Sequence, residues 1–125
     1  MVKGKKLYIC SPLSASSAEG IESNMLAARM YMTQIAGSYQ CRTYAPHAYL
    51  PELLDDHNPE ERALALAFGL QLLTLCDCLV ICGEIISTGM KGEIQAACQL
   101  GMKIYRFVER KNEWMLLVED QKVIL

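Results

Sequence analysis

The sequence predicts an α/β fold, a parallel sheet with helices on both faces, and three observations predict it. Four short apolar runs, Lys6–Cys10, Arg42–Ala45, Cys78–Cys82 and Lys103–Val108, have the length and boundaries of strands. Segments with apolar residues at helical spacing separate them. The chain is 52% hydrophobic with mean hydropathy +0.15, an apolar surplus suited to a sheet covered on both sides, a subunit interface, or both. Strands alternating with helices imply right-handed crossovers and a parallel sheet. The expected topology is Rossmann-like, in the flavodoxin-like order 2-1-3-4 with room for a fifth strand. At 125 residues the chain reads as a single domain, 1–125.

Each element has its own signal. KLYIC, the first strand, ends at Ser11-Pro12, and a small-residue loop runs to Gly20. Met25, Ala28, Met32, Ile35 and Ala36 mark a helix over Ile21–Ala36, with Gly37 expected to close it. Arg42–Ala45 is a weaker strand ended by Pro46, and Tyr49–Asp55 reads as a short helical turn. Asn58-Pro59-Glu60-Glu61 is a strong helix start: Asn caps, Pro takes the first position, and two acids sit in the first turn. That helix should reach about Leu75. Cys78–Cys82 is a buried strand, and Gly92–Leu100 is expected to be helical until Gly101. After Lys103–Val108, the segments Trp114–Val118 and Lys122–Leu125 flank Glu119-Asp120, as a fifth strand with a tail or as a small hairpin.

Composition excludes several classes. A net charge of −2 and a pI of about 5.7 favour neither nucleic acid nor an anionic membrane. Met1–Lys6 is charged and the apolar run after it is short, so no secretory leader is expected. No apolar stretch approaches the roughly 18 residues of a spanning helix. Most of the six cysteines sit in apolar strand or helix contexts and read as buried small side chains in a reducing cytoplasm. No metal site and no cofactor are expected: Asp55, Asp56 and His57 read as a solvated turn, and Asp77 as a cap or turn residue.

In this topology a ligand sits beyond the carboxyl ends of the first and third strands, where the winding reverses. That point joins Ser11, after Cys10, to the loop Ser87-Thr88-Gly89 and Gly92, after Cys82. Small residues there permit close backbone approach, and a helix start offers amides to an anion. Glu93 is the unusual member. Read in the first turn of its helix, it should stay ionised, fit to trap or stabilise an oxocarbenium-like centre. From spacing alone an ordinary acidic helix start is the commoner reading. Tyr8, inside the first strand, needs a partner for its phenol, and Glu93 is one candidate. Ser87 and Thr88 suit a phosphate or sugar hydroxyl, or plain turn chemistry. His47, in APHAYLPELLDD, is a base, a phosphate contact or, more commonly, a structural residue.

Across Lys6–Tyr105 the chain resembles the nucleoside 2-deoxyribosyltransferase-like superfamily, through YICSPL, APHAYLPELLDD and CDCLVICGEIISTGMKGEI. It is most similar to the small phage and mobile-element members. The resemblance implies that Glu93 is the nucleophile attacking the anomeric carbon and that Tyr8 orients it. It also implies that Ser87, six residues earlier, contacts a 5′-phosphate, where enzymes of free nucleosides carry Asp. An Asp would repel a phosphate; a hydroxyl beside free amides would hold one. Two departures stand out. The acid that handles the leaving base is replaced by Gly69, and the first loop, SPLSASSAE, lacks the basic residue of the hydrolases.

The function expected is therefore nucleotide binding with N-glycosidase or deoxyribosyltransferase-type chemistry on a (deoxy)nucleoside 5′-monophosphate. Glu93 and Tyr8 are the catalytic candidates; Ser11, Ser87, Thr88, Gly89 and His47 are the substrate-binding ones. The alternative is a non-catalytic binder that sequesters a nucleotide or an ADP-ribose-like signal. A purely structural or oligomerising module is the third reading. The expected partners are the nucleotide or nucleoside ligand and further copies of the chain, as a homodimer or larger, with no nucleic acid and no membrane.

Overall fold

A computed structural model describes residues 1–119. Its elements are β1 (Lys6–Cys10), α1 (Ala18–Tyr39), β2 (Arg42–Tyr44), two short 3₁₀ turns (Pro46–Ala48 and Leu50–Glu52), α2 (Pro59–Thr74), β3 (Cys78–Cys82), α3 (Thr88–Gln99), β4 (Lys103–Arg110) and β5 (Glu113–Val118). The sheet order is β2-β1-β3-β4-β5. The first four strands are parallel, with Leu7 opposite both Thr43 and Cys78. The fifth strand is present and pairs antiparallel with β4, Arg110 opposite Glu113. Lys111 and Asn112 turn that corner, both at positive φ (52° and 63°), as a tight two-residue hairpin requires. Lys122–Leu125, the other half of the expected tail or hairpin, lie outside the described residues.

The pleat sorts the core into two layers, because alternate strand residues point to opposite faces. Leu7, Ile9, Val80 and Phe107 pack with Ala28 and Ile35 of α1 on one face. Tyr8, Cys10, Leu79, Ile81 and Ile104 pack with Leu73 of α2 and Met90, Ile94 and Ala97 of α3 on the other. The candidate nucleophile's helix therefore shares a layer with Tyr8. Asp77 pins this register from below: its carboxylate accepts from the Lys6 amide at 2.8 Å, and its own amide donates to the Lys6 carbonyl at 2.8 Å.

Helix boundaries depart from the sequence reading in two places. α1 begins at Ala18 because Ser17 accepts from the Gly20 amide. It passes through Gly37 and ends in a left-handed Gln40. More consequential, α3 begins at Thr88, not Gly92, with the Ser87 hydroxyl accepting from Met90 N as its cap. Glu93 is then the sixth residue of the helix, beyond the free first-turn amides. The first-turn electrostatic argument for Glu93 is therefore corrected. The Asn58 cap holds as read, its side chain accepting from Glu60 N and Glu61 N. Among the described residues, no helix is long and apolar enough to cross a membrane.

Candidate functional site

The sequence elements that position the site converge at the carboxyl ends of β1 and β3. Glu93 is only 5% exposed, and a buried carboxylate is costly unless partnered. It has three neighbours. The Tyr8 hydroxyl donates to Oε2. The His47 ring places Nε2 at 3.4 Å from Oε1. The Cys10 thiol points at Oε1 from 3.9 Å. Tyr8 and Cys10 are two residues apart on β1 and so share a face; His47 comes from the 3₁₀ turn after β2, at the neighbouring strand's end.

Burial and the Glu93 charge set the protonation of Tyr8 and Cys10. The Tyr8 phenol is pushed far above its ordinary range, first by burial, then by the adjacent carboxylate and its hydrogen bond. It stays a donor at any physiological pH. The Cys10 thiol is raised well above its usual value by the same two causes, in the same order. It is a weak donor, with no thiolate for chemistry. Two polar atoms beside this cluster are buried without a hydrogen-bond partner among the described residues: His47 Nδ1 and Ser11 Oγ.

Glu93 and Tyr8 open onto a cavity of about 280 Å³, lined also by His47, Arg62, Gly69, Thr88, Gly89 and Gly92. A smaller crevice adjoins it, bounded by Ser11, Ser14, Asp56 and Ser87, with His47, Arg62, Leu66 and Gly89 common to both. The sequence-predicted residues thus come together, in two subsets. Tyr8, His47, Glu93, Thr88 and Gly89 line the cavity; Ser11 and Ser87 line the crevice, with Gly89 and His47 between them.

Gly69 acquires a physical reason. A Cβ built there would lie 2.9 Å from the Tyr8 hydroxyl and 3.8 Å from Glu93 Oε2. The glycine leaves room for the Tyr8–Glu93 pair. Arg62, Ala65, Leu66, Gly69 and Leu70 all line the cavity, at the 3–4 residue spacing of one helix face. That spacing was a readable signal for Arg62, which the sequence reading missed; the Tyr8/Cys10 alternation was one for Cys10. Asp56 lies at the crevice, ion-paired to Arg62, while Asp55 and His57 sit in an exposed turn.

Known proteins agree with this architecture. A solved structure, the 2-deoxyribosyltransferase from the psychrotolerant bacterium Bacillus psychrosaccharolyticus, superposes with a TM-score of 0.60 over 82% of this chain and 71% of its own, at 17% identity. That likeness establishes a shared fold. No curated protein matches the sequence. Residues 5–107 match one family model, so the chain belongs to the family described as a domain of unknown function, DUF7768.

Proposed function

We propose that the protein is a member of the nucleoside 2-deoxyribosyltransferase-like superfamily that binds a deoxynucleoside 5′-monophosphate and cleaves its N-glycosidic bond. The observation that carries the reading is a carboxylate, Glu93, buried between a phenol and an imidazole on the wall of a cavity of about 280 Å³. The volume is at the small end of ligand sites and favours a mononucleotide over an ADP-ribose-like ligand. In the reaction, a Glu93 oxygen bonds to the anomeric carbon as the carbon–nitrogen bond breaks. The electron pair leaves with the base, which must take up a proton. Gly69 offers none. His47 stands on the same cavity wall, its Nε2 3.4 Å from Glu93 Oε1, and is assigned as the proton donor in place of the missing acid. Water, or a second base, then releases the sugar from Glu93. Tyr8, held protonated, keeps the carboxylate aimed.

The test is base release from a panel of nucleoside 5′-monophosphates, followed by chromatography. Release by the wild type that vanishes in Glu93→Gln supports the reading; equal release by the variant, or none by the wild type, ends it. A binder without turnover is the second reading, favoured by a cavity lining that holds one carboxylate, Glu93. Tight calorimetric binding with no base release selects it.

Exposed Leu64, Phe68 and Leu75 on or beside α2 support a homodimer or larger assembly, since a helix apolar on most sides is normally covered. A monomer by light scattering at micromolar concentration would refute that. All six cysteines are free, which supports a reducing, cytoplasmic setting.

A further inference from the structure

The first loop carries no basic residue, yet the proposed ligand is an anion. From the structure we infer that Arg62 of α2 supplies the missing cation at the phosphate end of the site, held until then by Asp56. This rests on the reading that the cavity takes a nucleotide.

Four observations carry it. Arg62 lines both the cavity and the crevice, so its side chain borders the place where sugar would give way to phosphate. Only one end of its guanidinium is used: Nη1 donates to Ser14 Oγ at 2.9 Å and to Asp56 Oδ2 at 3.1 Å. Among the described residues, Nε and Nη2 make no hydrogen bond to protein. Beside it, Ser11 is 1% exposed and its hydroxyl has no partner, though it lines the same crevice. An orphaned buried hydroxyl is costly, and a ligand oxygen would satisfy it. The 12-residue helix α3 also begins here, with Thr88 and Gly89 in its first turn and the Ser87 cap facing the same crevice. A buried hydroxyl, a helix start and a half-used guanidinium make an anion subsite.

Asp56 gives the device its balance. Its side chain is 9% exposed against 40% for Arg62, and it also accepts from Ser14 at 3.0 Å. The carboxylate is the buried partner and the arginine the more exposed one. In the empty site Asp56 neutralises Arg62; with a phosphate present the two anions share one cation, so Asp56 sets how tightly the phosphate is held.

Calorimetric titration of the full chain with a deoxynucleoside 5′-monophosphate, and with the same nucleoside lacking phosphate, tests the assignment. The titrations are run on the wild type and on Glu93→Gln, where no cleavage competes. The wild type should prefer the monophosphate. Arg62→Ala should weaken monophosphate binding about ten- to a hundredfold and leave nucleoside affinity within about twofold. Arg62→Lys should retain part of the preference, and Asp56→Asn should strengthen it. An unchanged preference in Arg62→Ala, an equal loss for both ligands, or no preference in the wild type overturns the proposal. Base release is scored separately. A protein that keeps the phosphate preference and releases no base leaves Arg62 in place and removes the catalytic role of Glu93.

Discussion

The wall and the mouth of the site are built by opposite rules. The wall around Glu93 is dry: a phenol and a thiol from β1, an imidazole, and a carboxylate from α3, all buried. The mouth at Ser14, Asp56 and Arg62 is a partly exposed ion cluster joining two loops and a helix. Burial makes each interaction at the wall strong and each change costly, whereas exposed charge pairs contribute little to the fold. The proposed function places bond chemistry at the wall and choice of ligand at the mouth. Substitutions should divide along the same line, into those that break the chemistry and those that alter only what binds.

The largest effect is expected for Glu93→Gln. Base release should fall by more than about 10³-fold, as for loss of a nucleophile. The melting temperature should hold or rise, because a buried charge is removed while Tyr8 can still donate to an amide oxygen. A variant that keeps activity, or that loses stability sharply, would show that the carboxylate is structural.

Gly69→Ala comes next. The added methyl would press on the Tyr8 hydroxyl from 2.9 Å, and overpacking of this kind typically costs about 1–3 kcal/mol. Thermal unfolding measures the cost, and base release should fall with it as the Tyr8–Glu93 pair is displaced. An unaffected protein would mean that the glycine has no role in seating Glu93.

Raising the pH probes the wall without mutation. Burial raises the Tyr8 and Cys10 protons above their ordinary values of 10.0 and 9.0. A raised folded-state value means that the stabilisation is complete below the unfolded-state value and is lost as pH climbs above it. Stability should thus be flat to about pH 8 and decline beyond about pH 9. Each group contributes about 1.4 kcal/mol per pH unit once its unfolded form ionises. Cys10→Ala should shallow that decline.

Much of this division was legible in the sequence. Strand alternation put Tyr8 toward one face, and the crossover rule brought the loops after Cys10 and Cys82 together. The Asn58-Pro59-Glu60-Glu61 start was legible because caps are local chemistry. The start of α3 was misread because Gly89 and Gly92, both poor helix formers, lie inside its first turns, and the Ser87 cap overrides them. The seating of His47 against Glu93 was hidden because it depends on a 3₁₀ turn, Pro46–Ala48, whose path tertiary contacts set. Arg62 was missed for a different reason. Its spacing with Ala65, Leu66, Gly69 and Leu70 groups it on one face of α2, but the helix is apolar on most sides, so nothing local told that this face met the site.

The smallest effect on the fold, and the sharpest test of the mouth, is Ser87→Asp. Ser87 caps α3 by accepting from Met90 N, which leaves its hydroxyl proton for a ligand oxygen. Aspartate caps a helix as well as serine does, so stability should stay within about 0.5 kcal/mol of wild type. A carboxylate in that crevice would repel a phosphate yet could still accept a sugar hydroxyl. Monophosphate binding should therefore collapse while nucleoside binding survives, inverting the preference with the wall untouched. If both ligands weaken alike with the helix intact, Ser87 is a cap and nothing more, and the anion must be held by Ser11 and Arg62 alone.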